Sequence, residues 1–222
     1  MSEGRILGPF KHPSLENLQV SPLGVVPNQN KGEYRLIQRL SYPEEESVND
    51  AIPEELCTVC YASFDEVVHM VCRCGIGAEL AKCDIKSAFC ILPVHPLDFD
   101  LLDFYFQGSY YIDRALPMGC SVSCTAFKCF SSFLEWKHRC TVDCRSTAHY
   151  LDDYLFCGAA HTGQCVFILE TFQSLSWEHG EFPWLRKTTE GPASSLTFLG
   201  IELGTMQQAS RLLEDKLEAL EE

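Results

Sequence analysis

The sequence predicts an α+β fold with a mainly antiparallel sheet, and three observations carry that expectation. Short β-prone runs come in pairs about turns, as in residues 23–27 with 33–40, 101–106 with 110–113, and 150–151 with 154–157. These pairs alternate with stretches whose apolar residues recur at helical intervals. Strands in hairpins interleaved with helices favour an antiparallel sheet over a doubly wound parallel one.

Taken in order, residues 1–20 form an N-terminal lead-in with Pro9 and Pro13. The turn Asn28-Gln29-Asn30-Lys31-Gly32 then joins two apolar runs, and Arg35 and Arg39 lie on the second of them. An Arg beside a hairpin tip is an exposed sheet residue or a phosphate ligand. Residues 41–56 read as loop. Ser63 and Glu66 have the spacing of a capping box, with Phe64, Val67, Val68 and Val71 following at helical intervals and Gly75 as the stop. The next run places Asp84 at a strand end, with Ala88-Phe89 turning away. Leu116-Pro117-Met118-Gly119-Cys120-Ser121 is a turn that opens a helix, with a core stripe of Phe127, Phe130, Phe133 and Leu134. Val166, Leu169, Phe172 and Leu175 mark another helix. Leu196 to Leu203 reads as one strand kinked at Gly200, and a last helix is expected from Ser210 through Leu213, Leu217 and Leu220.

With 222 residues the chain can bury a sizeable core, and 46% hydrophobic with 22% charged residues is ordinary for a globular protein. It has neither a signal-peptide pattern nor a membrane-length apolar run, which predicts an intracellular protein, cytoplasmic or nuclear. Thirteen cysteines then read as reduced thiols. Cys57, Cys60, Cys72 and Cys74 are spaced too tightly in their second pair for an ordinary zinc knuckle. Cys83, Cys90, Cys120, Cys124 and Cys129 read as small buried hydrophobes. The net charge of −14 weighs against a freestanding nucleic-acid binder, although a local groove can be basic in an acidic protein.

The chemistry concentrates at Tyr150-Leu151-Asp152-Asp153. An isolated Asp-Asp pair reads as a solvated hairpin turn. A third acid changes that reading: if Asp84 ends a strand beside the turn, three carboxylates converge. Such oxygen ligands suit two Mg²⁺ ions, with Mn²⁺ as a substitute, ~3.5–4 Å apart for in-line nucleotidyl transfer.

In that order, Asp84 with Phe89, Leu116-Pro117-Met118-Gly119, Tyr150-Leu151-Asp152-Asp153 and Phe198-Leu199-Gly200 resemble the successive motifs of reverse transcriptases. Within that class the chain is most similar to DIRS-type, tyrosine-recombinase retrotransposons. Ser21-Pro22-Leu23-Gly24-Val25-Val26-Pro27, Ser47-Val48-Asn49-Asp50 and Phe130-Ser131-Ser132-Phe133-Leu134-Glu135-Trp136 add to this likeness.

The resemblance implies a right-hand polymerase fold, with fingers over 21–83, palm over 84–205 (93–118 contributing to the fingers) and the start of a thumb helix over 206–222. It makes Asp84, Asp152 and Asp153 the catalytic, metal-binding acids, with Asp153 in a supporting role. The backbone of Ile85, Lys86, Ser87 and Ala88 would meet the dNTP triphosphate, and Arg35 would reach it from the fingers. Phe89 would exclude a ribose 2′-hydroxyl by clash. Met118 and Gly119 would pack against the templating base or nucleotide, and Phe198, Leu199 and Gly200 would grip the primer. Its partners would be an RNA or DNA template with primer, dNTP, and the thumb, RNase H and recombinase regions of a parent polyprotein.

Some positions depart from the pattern. Met118 stands where many retroviral enzymes have Gln, Asn28-Gln29-Asn30 replaces lysines, and Thr188 rather than Lys187 takes a lysine position. With the chain stopping at Glu222, these departures leave a second expectation, a catalytically decayed remnant acting as an interaction module. A third, an RNA-directed RNA polymerase, is opposed by Phe89.

Overall fold

The computed structural model describes residues 4–13, 18–27, 32, 34–142, 145–178, 189–213 and 217. In chain order the strands are β1 (Ile6–Phe10), β2 (Leu23–Pro27) and β3 (Tyr34–Gln38), followed by helix α1 (Phe64–Cys74) and β4 (Glu79–Asp84). Next come β5 (Asp103–Phe106), β6 (Ser109–Asp113), α2 (Ser123–Val142), β7 (Thr147–Tyr150), β8 (Asp153–Gly158) and α3 (Gln164–Glu178). The order closes with β9 (Thr189–Ala193), β10 (Ser195–Phe198), β11 (Ile201–Gly204) and β12 (Ala209–Leu212). All pairings between these strands are antiparallel. The chain forms two compact units, one of residues 1–59 with 87–129 and the other of residues 60–86 with 130–222.

The first unit contains the sheet β1-β6-β5 and the hairpin β2-β3. β5 and β6 join through Gln107 (φ 47°) and Gly108 (φ 80°), a two-residue loop with both residues left-handed, as the twist of a hairpin favours. Two of the short motifs prove to be one structural device. Ser47 and Asp50 lock their own turn, with Ser47 Oγ donating to Asp50 Oδ2 at 2.7 Å. Asn49 between them donates to Gly119 O at 2.8 Å and accepts from Ser121 N at 2.9 Å, clamping the Leu-Pro-Met-Gly turn. Gly119 has φ 113°, and a Cβ there would sit 2.0 Å from Gln38 O, so only glycine fits. Gln38 N donates to Met118 O at 3.1 Å, tying the same turn to β3. Leu40, Val48 and Leu102 form a small core beneath.

The second unit is built on the sheet β7-β8-β4-β9. β8 is buried on both faces, which explains its nearly continuous apolar run. Leu155 and Cys157 face a core with Val67, Met70 and Val71 of α1 and with Leu196, Phe198 and Leu203. Tyr154 and Phe156 face the other way, their rings 4.4 Å and 5.1 Å from Phe172 of α3. Ser63 caps α1, accepting from Glu66 N at 3.3 Å, and Gly75 ends it with φ 88°, as the capping pattern requires. Gly191 has φ 92° and lies against β4, where a Cβ would be 2.3 Å from Leu80 O.

Several sequence expectations need correction. Leu196 to Leu203 is not a kinked strand but the hairpin β10–β11, with Leu199 (φ 52°) and Gly200 (φ 77°) as its two-residue turn. Ser210 lies in β12 and does not open a helix, because Leu203 pairs with it and extends the third sheet, β10-β11-β12. The thumb helix expected over 206–222 therefore does not include residues 209–212; Leu217, whose N–H donates to Leu213 O at 3.1 Å, is helical, and Leu220 lies outside the described residues. Phe133 is 52% exposed, so the stripe of α2 does not include it, and Val166 is exposed where Cys165, Ile168, Leu169 and Phe172 form the buried face of α3. Cys129 is exposed and Cys90, Cys120 and Cys124 are half-buried; among those five thiols only Cys83 is buried.

Candidate active site

β4 delivers Asp84 as its last residue, directly opposite Asp153, the first residue of β8. Ile85 N donates to Asp152 O at 2.9 Å, carrying the pairing one step past the strand end. On the other side Tyr150 pairs with Asp153, so the loop is Leu151-Asp152 and Asp153 already belongs to the strand. Leu151 is left-handed at φ 52°, costing about 1–2 kcal/mol for a residue with a Cβ. That conformation turns the chain within two residues and keeps Asp152 at the tip.

The three acids are brought together by this register. The Asp152 carboxyl lies at the turn beside Asp84 and Asp153, close enough to feel both charges. Burial pushes Asp152 up to about 6, and the neighbouring charges of Asp153 and Asp84 push the same way. Burial also raises Asp153, with Asp84 adding to the shift and Lys82 opposing it. Lys82 is itself held, donating to Thr197 O at 2.9 Å and pairing with Glu190 at 2.9 Å.

Among the described residues no group of three or more carboxylate, imidazole or thiol side chains is arranged to hold an ion. What the acids provide is a cross-strand pair, Asp84 opposite Asp153, with Asp152 in the turn beside them. The donor set fits a hard divalent cation, since Mg²⁺ takes one or two protein carboxylates and fills its octahedron with water and substrate phosphates.

A polar network that sequence reasoning missed supports the hairpin from behind. His149 Nδ1 donates to Glu135 Oε2 at 2.8 Å, and Glu135 Oε1 pairs with Arg139 at 2.7 Å. Arg139 donates twice to Thr147 O, from Nη2 at 2.6 Å and from Nε at 3.2 Å. His138 Nε2 lies 2.8 Å from Ile168 O, so it must carry the proton, and Nδ1 then accepts from Thr147 Oγ1 at 3.0 Å. Burial lowers the His138 pKa, consistent with that neutral tautomer. Tyr154 stacks on His149 with ring centroids 5.4 Å apart and donates to Ser131 O at 2.9 Å. These residues tie β7 and β8 to α2. Buried polar positions at His138, Thr147 and His149 mark the network, and a sequence does not print burial.

The remaining predicted site residues are distributed as follows. Ile85 is buried and Lys86 exposed, both in the second unit. Ser87 (φ 56°), Ala88 and Phe89 belong to the first unit, where Phe89 meets the edge of Phe127 at 5.7 Å between centroids. Arg35 is exposed on β3 and lines, with Gln38, Phe104, Pro117 and Met118, a cleft of about 280 Å³ within the first unit. Gly119 carries no side chain and serves the close backbone approach described above. Phe198 is anchored in the core of the second unit, while Leu199 protrudes at the hairpin tip, 38% exposed. Asn28, Gln29, Asn30, Lys31, Lys187 and Thr188 lie outside the described residues.

No family model and no curated protein matches the chain. Solved structures do. The foamy viral protease-reverse transcriptase in complex with double-stranded DNA has a TM-score of 0.73 at 17% identity, covering 99% of this chain and 34% of that one. The same kind of protein in complex with an RNA/DNA hybrid has a TM-score of 0.71 at 17% identity, covering 99% and 26%. The native prototype foamy virus protease-reverse transcriptase has 0.63 at 20% identity, covering 95% and 24%. The fold is that of a reverse transcriptase. The chain spans about a third or less of those neighbours' length. No helix among the described residues is long and apolar enough to cross a membrane.

Proposed function

We propose that this chain is the reverse transcriptase domain of a DIRS-type retrotransposon, adding dNTP to a primer 3′-hydroxyl under the direction of an RNA or DNA template. The observation that carries the reading is the register of Asp84 against Asp153, with Asp152 in the adjoining turn and its carbonyl accepting from Ile85 N. A fold that sets three half-buried acids at one strand end holds charge that a cation would neutralise. When bound, two Mg²⁺ ions would lower the cost of forming the attacking alkoxide and the departing pyrophosphate.

The chain's own part is to hold and orient. Asp84 and Asp152 serve as the direct ligands and Asp153 as the supporting carboxylate. The strained Leu151 and the Glu135–His149 pair behind it keep Asp152 from swinging away. By the sequence motif, Ile85, Lys86, Ser87 and Ala88 offer backbone to the triphosphate, Arg35 adds a guanidinium, and Phe89 rejects ribose. Met118 and Gly119 face the templating base or nucleotide, and Phe198, Leu199 and Gly200 grip the primer end. RNase H and recombinase regions belong to the parent polyprotein in this reading.

A second reading, a catalytically decayed remnant acting as an interaction module, is favoured by the net charge of −14. Primer extension with Mg²⁺ and dNTP separates the two, because a remnant extends nothing. The same assay with rNTP tests the gate. Phe89→Ala should raise rNTP use relative to dNTP by at least about tenfold, the factor that about 1.4 kcal/mol of lost clash provides. Unchanged discrimination would remove Phe89 from that role.

A further inference from the structure

The turn that carries Asp152 has to be held on both sides, because Leu151 within it is left-handed at φ 52°. A residue with a Cβ stays in that region only where its surroundings fix the backbone. On the Asp153 side the ladder to Asp84 does so, and Ile85 N adds its bond to Asp152 O at 2.9 Å. On the other side stands Tyr150, the last residue of β7, which is an edge strand of its sheet.

The Tyr150 side chain supplies what an edge strand lacks. It packs against the core that contains Val67, Met70 and Leu155. Its ring also stacks on Tyr61, with centroids 4.5 Å apart and planes 24° apart. Tyr61 belongs to no helix or strand, yet it is only 37% exposed. It lies two residues before Ser63, the cap of α1, and Phe64 at the start of that helix packs on the same core. The support under Tyr61 is therefore fixed independently of the hairpin. Tyr61, Tyr150, Ile85 and Asp152 all belong to the second unit.

We propose that Tyr61 is a positioning residue for nucleotidyl transfer: its ring pins Tyr150, and through Tyr150 it holds the Leu151-Asp152 turn beside Asp84 and Asp153. The inference rests on the reading of these acids as the metal-binding site. The ring acts here and the hydroxyl does not, since stacking depends on the aromatic faces. Without that ring Tyr150 regains freedom on its edge strand, Leu151 relaxes from positive φ, and Asp152 leaves the position that the chemistry needs. A stacked aromatic pair contributes enough to shift such an equilibrium by up to about tenfold.

The test compares the full chain with Tyr61→Ala, Tyr61→Leu and Tyr61→Phe, by hydrogen exchange without metal and by single-nucleotide incorporation with Mg²⁺. The Ile85 amide reports the turn directly, because its acceptor is Asp152 O. Its exchange should quicken about tenfold in the alanine and leucine variants and stay within about twofold of wild type in Tyr61→Phe. Exchange at Leu155 to Cys157 in β8 should not change in any of them. In the same two variants kcat should fall about tenfold with little change in the KM for dNTP, and Tyr61→Phe should retain wild-type kcat. Tyr61→Leu carries the test if Tyr61→Ala fails to fold. Unchanged Ile85 exchange, acceleration spread equally over β8, or full kcat in an active variant whose turn has loosened would overturn the proposal. A wild type that incorporates nothing counts against the polymerase reading, and Ile85 exchange then still decides whether Tyr61 holds the turn.

Discussion

Asp152 sits at the point of greatest conflict between stability and chemistry. Its carboxyl is raised to about 6 against an ordinary 3.8, first by burial and then by Asp153 and Asp84. The folded state therefore holds more protons than the unfolded state between about pH 4 and pH 6, so the metal-free protein loses stability as pH rises through that window. Asp103 is raised to about 6 by burial and titrates in the same window, so the wild-type profile alone does not isolate Asp152. The difference between wild type and Asp152→Asn does. In metal-free thermal melts the variant should be more stable above pH 6, by on the order of 1 kcal/mol, with the gap closing towards pH 4. A gap that does not change with pH would show that charge is not its cause. At this scale the acids themselves were legible, since three carboxylates in ordered motifs are written in the sequence. The left-handed Leu151 was not, because nothing in a leucine's neighbours announces a positive φ.

At the scale of elements, the hairpin that carries Asp152 is held by a network as much as by its own ladder. Glu135 is the joint, taking His149 through one oxygen and Arg139 through the other. Glu135→Ala removes both partners at once and leaves a buried imidazole and a half-buried guanidinium without their carboxylate. Urea unfolding should show a loss of about 3 kcal/mol. A loss under 1 kcal/mol would mean that β7 is fixed by packing alone. The β10–β11 turn gives an opposite prediction. Leu199 and Gly200 both take positive φ, a geometry that favours Asn-Gly, so Leu199→Asn should stabilise the protein by about 0.5–1 kcal/mol. A neutral or destabilising outcome would mean that the Leu199 side chain packs usefully at the tip. This turn also shows why element boundaries were harder to read than elements. A four-residue strand carries only two alternations, so Leu196 to Leu203 passed for one strand. The leucines at 213, 217 and 220 drew the expected helix back to Ser210, where strand pairing with Leu203 prevails. Longer patterns, such as the capped α1 and the apolar run of β8 from Tyr154 to Cys157, survived intact.

For the molecule as a whole, the net charge of −14 and the polymerase reading pull in different directions. An acidic protein approaches a nucleic-acid backbone against repulsion unless a local surface counters it, so binding has to be engineered by position rather than by total charge. What the fold does secure is the pairing of Asp84 with Asp153 by strand register and the placement of Asp152 in the two-residue turn beside them. The α+β class could be read from local patterns, and the meeting of Asp84 with the Asp152-Asp153 turn was expected from the order of the motifs. The Asn49 clamp on Gly119 depends on contacts between distant parts of the chain. Single-nucleotide incorporation tests the central claim most directly. The assay uses the folded chain with a primer–template, Mg²⁺ and the complementary dNTP, beside Asp152→Asn. The expected result is incorporation by the wild type, reduced at least about a hundredfold in the variant, as for loss of a group that stabilises transition-state charge. Equal incorporation by both proteins, or none by a wild type that binds the primer–template, would contradict it.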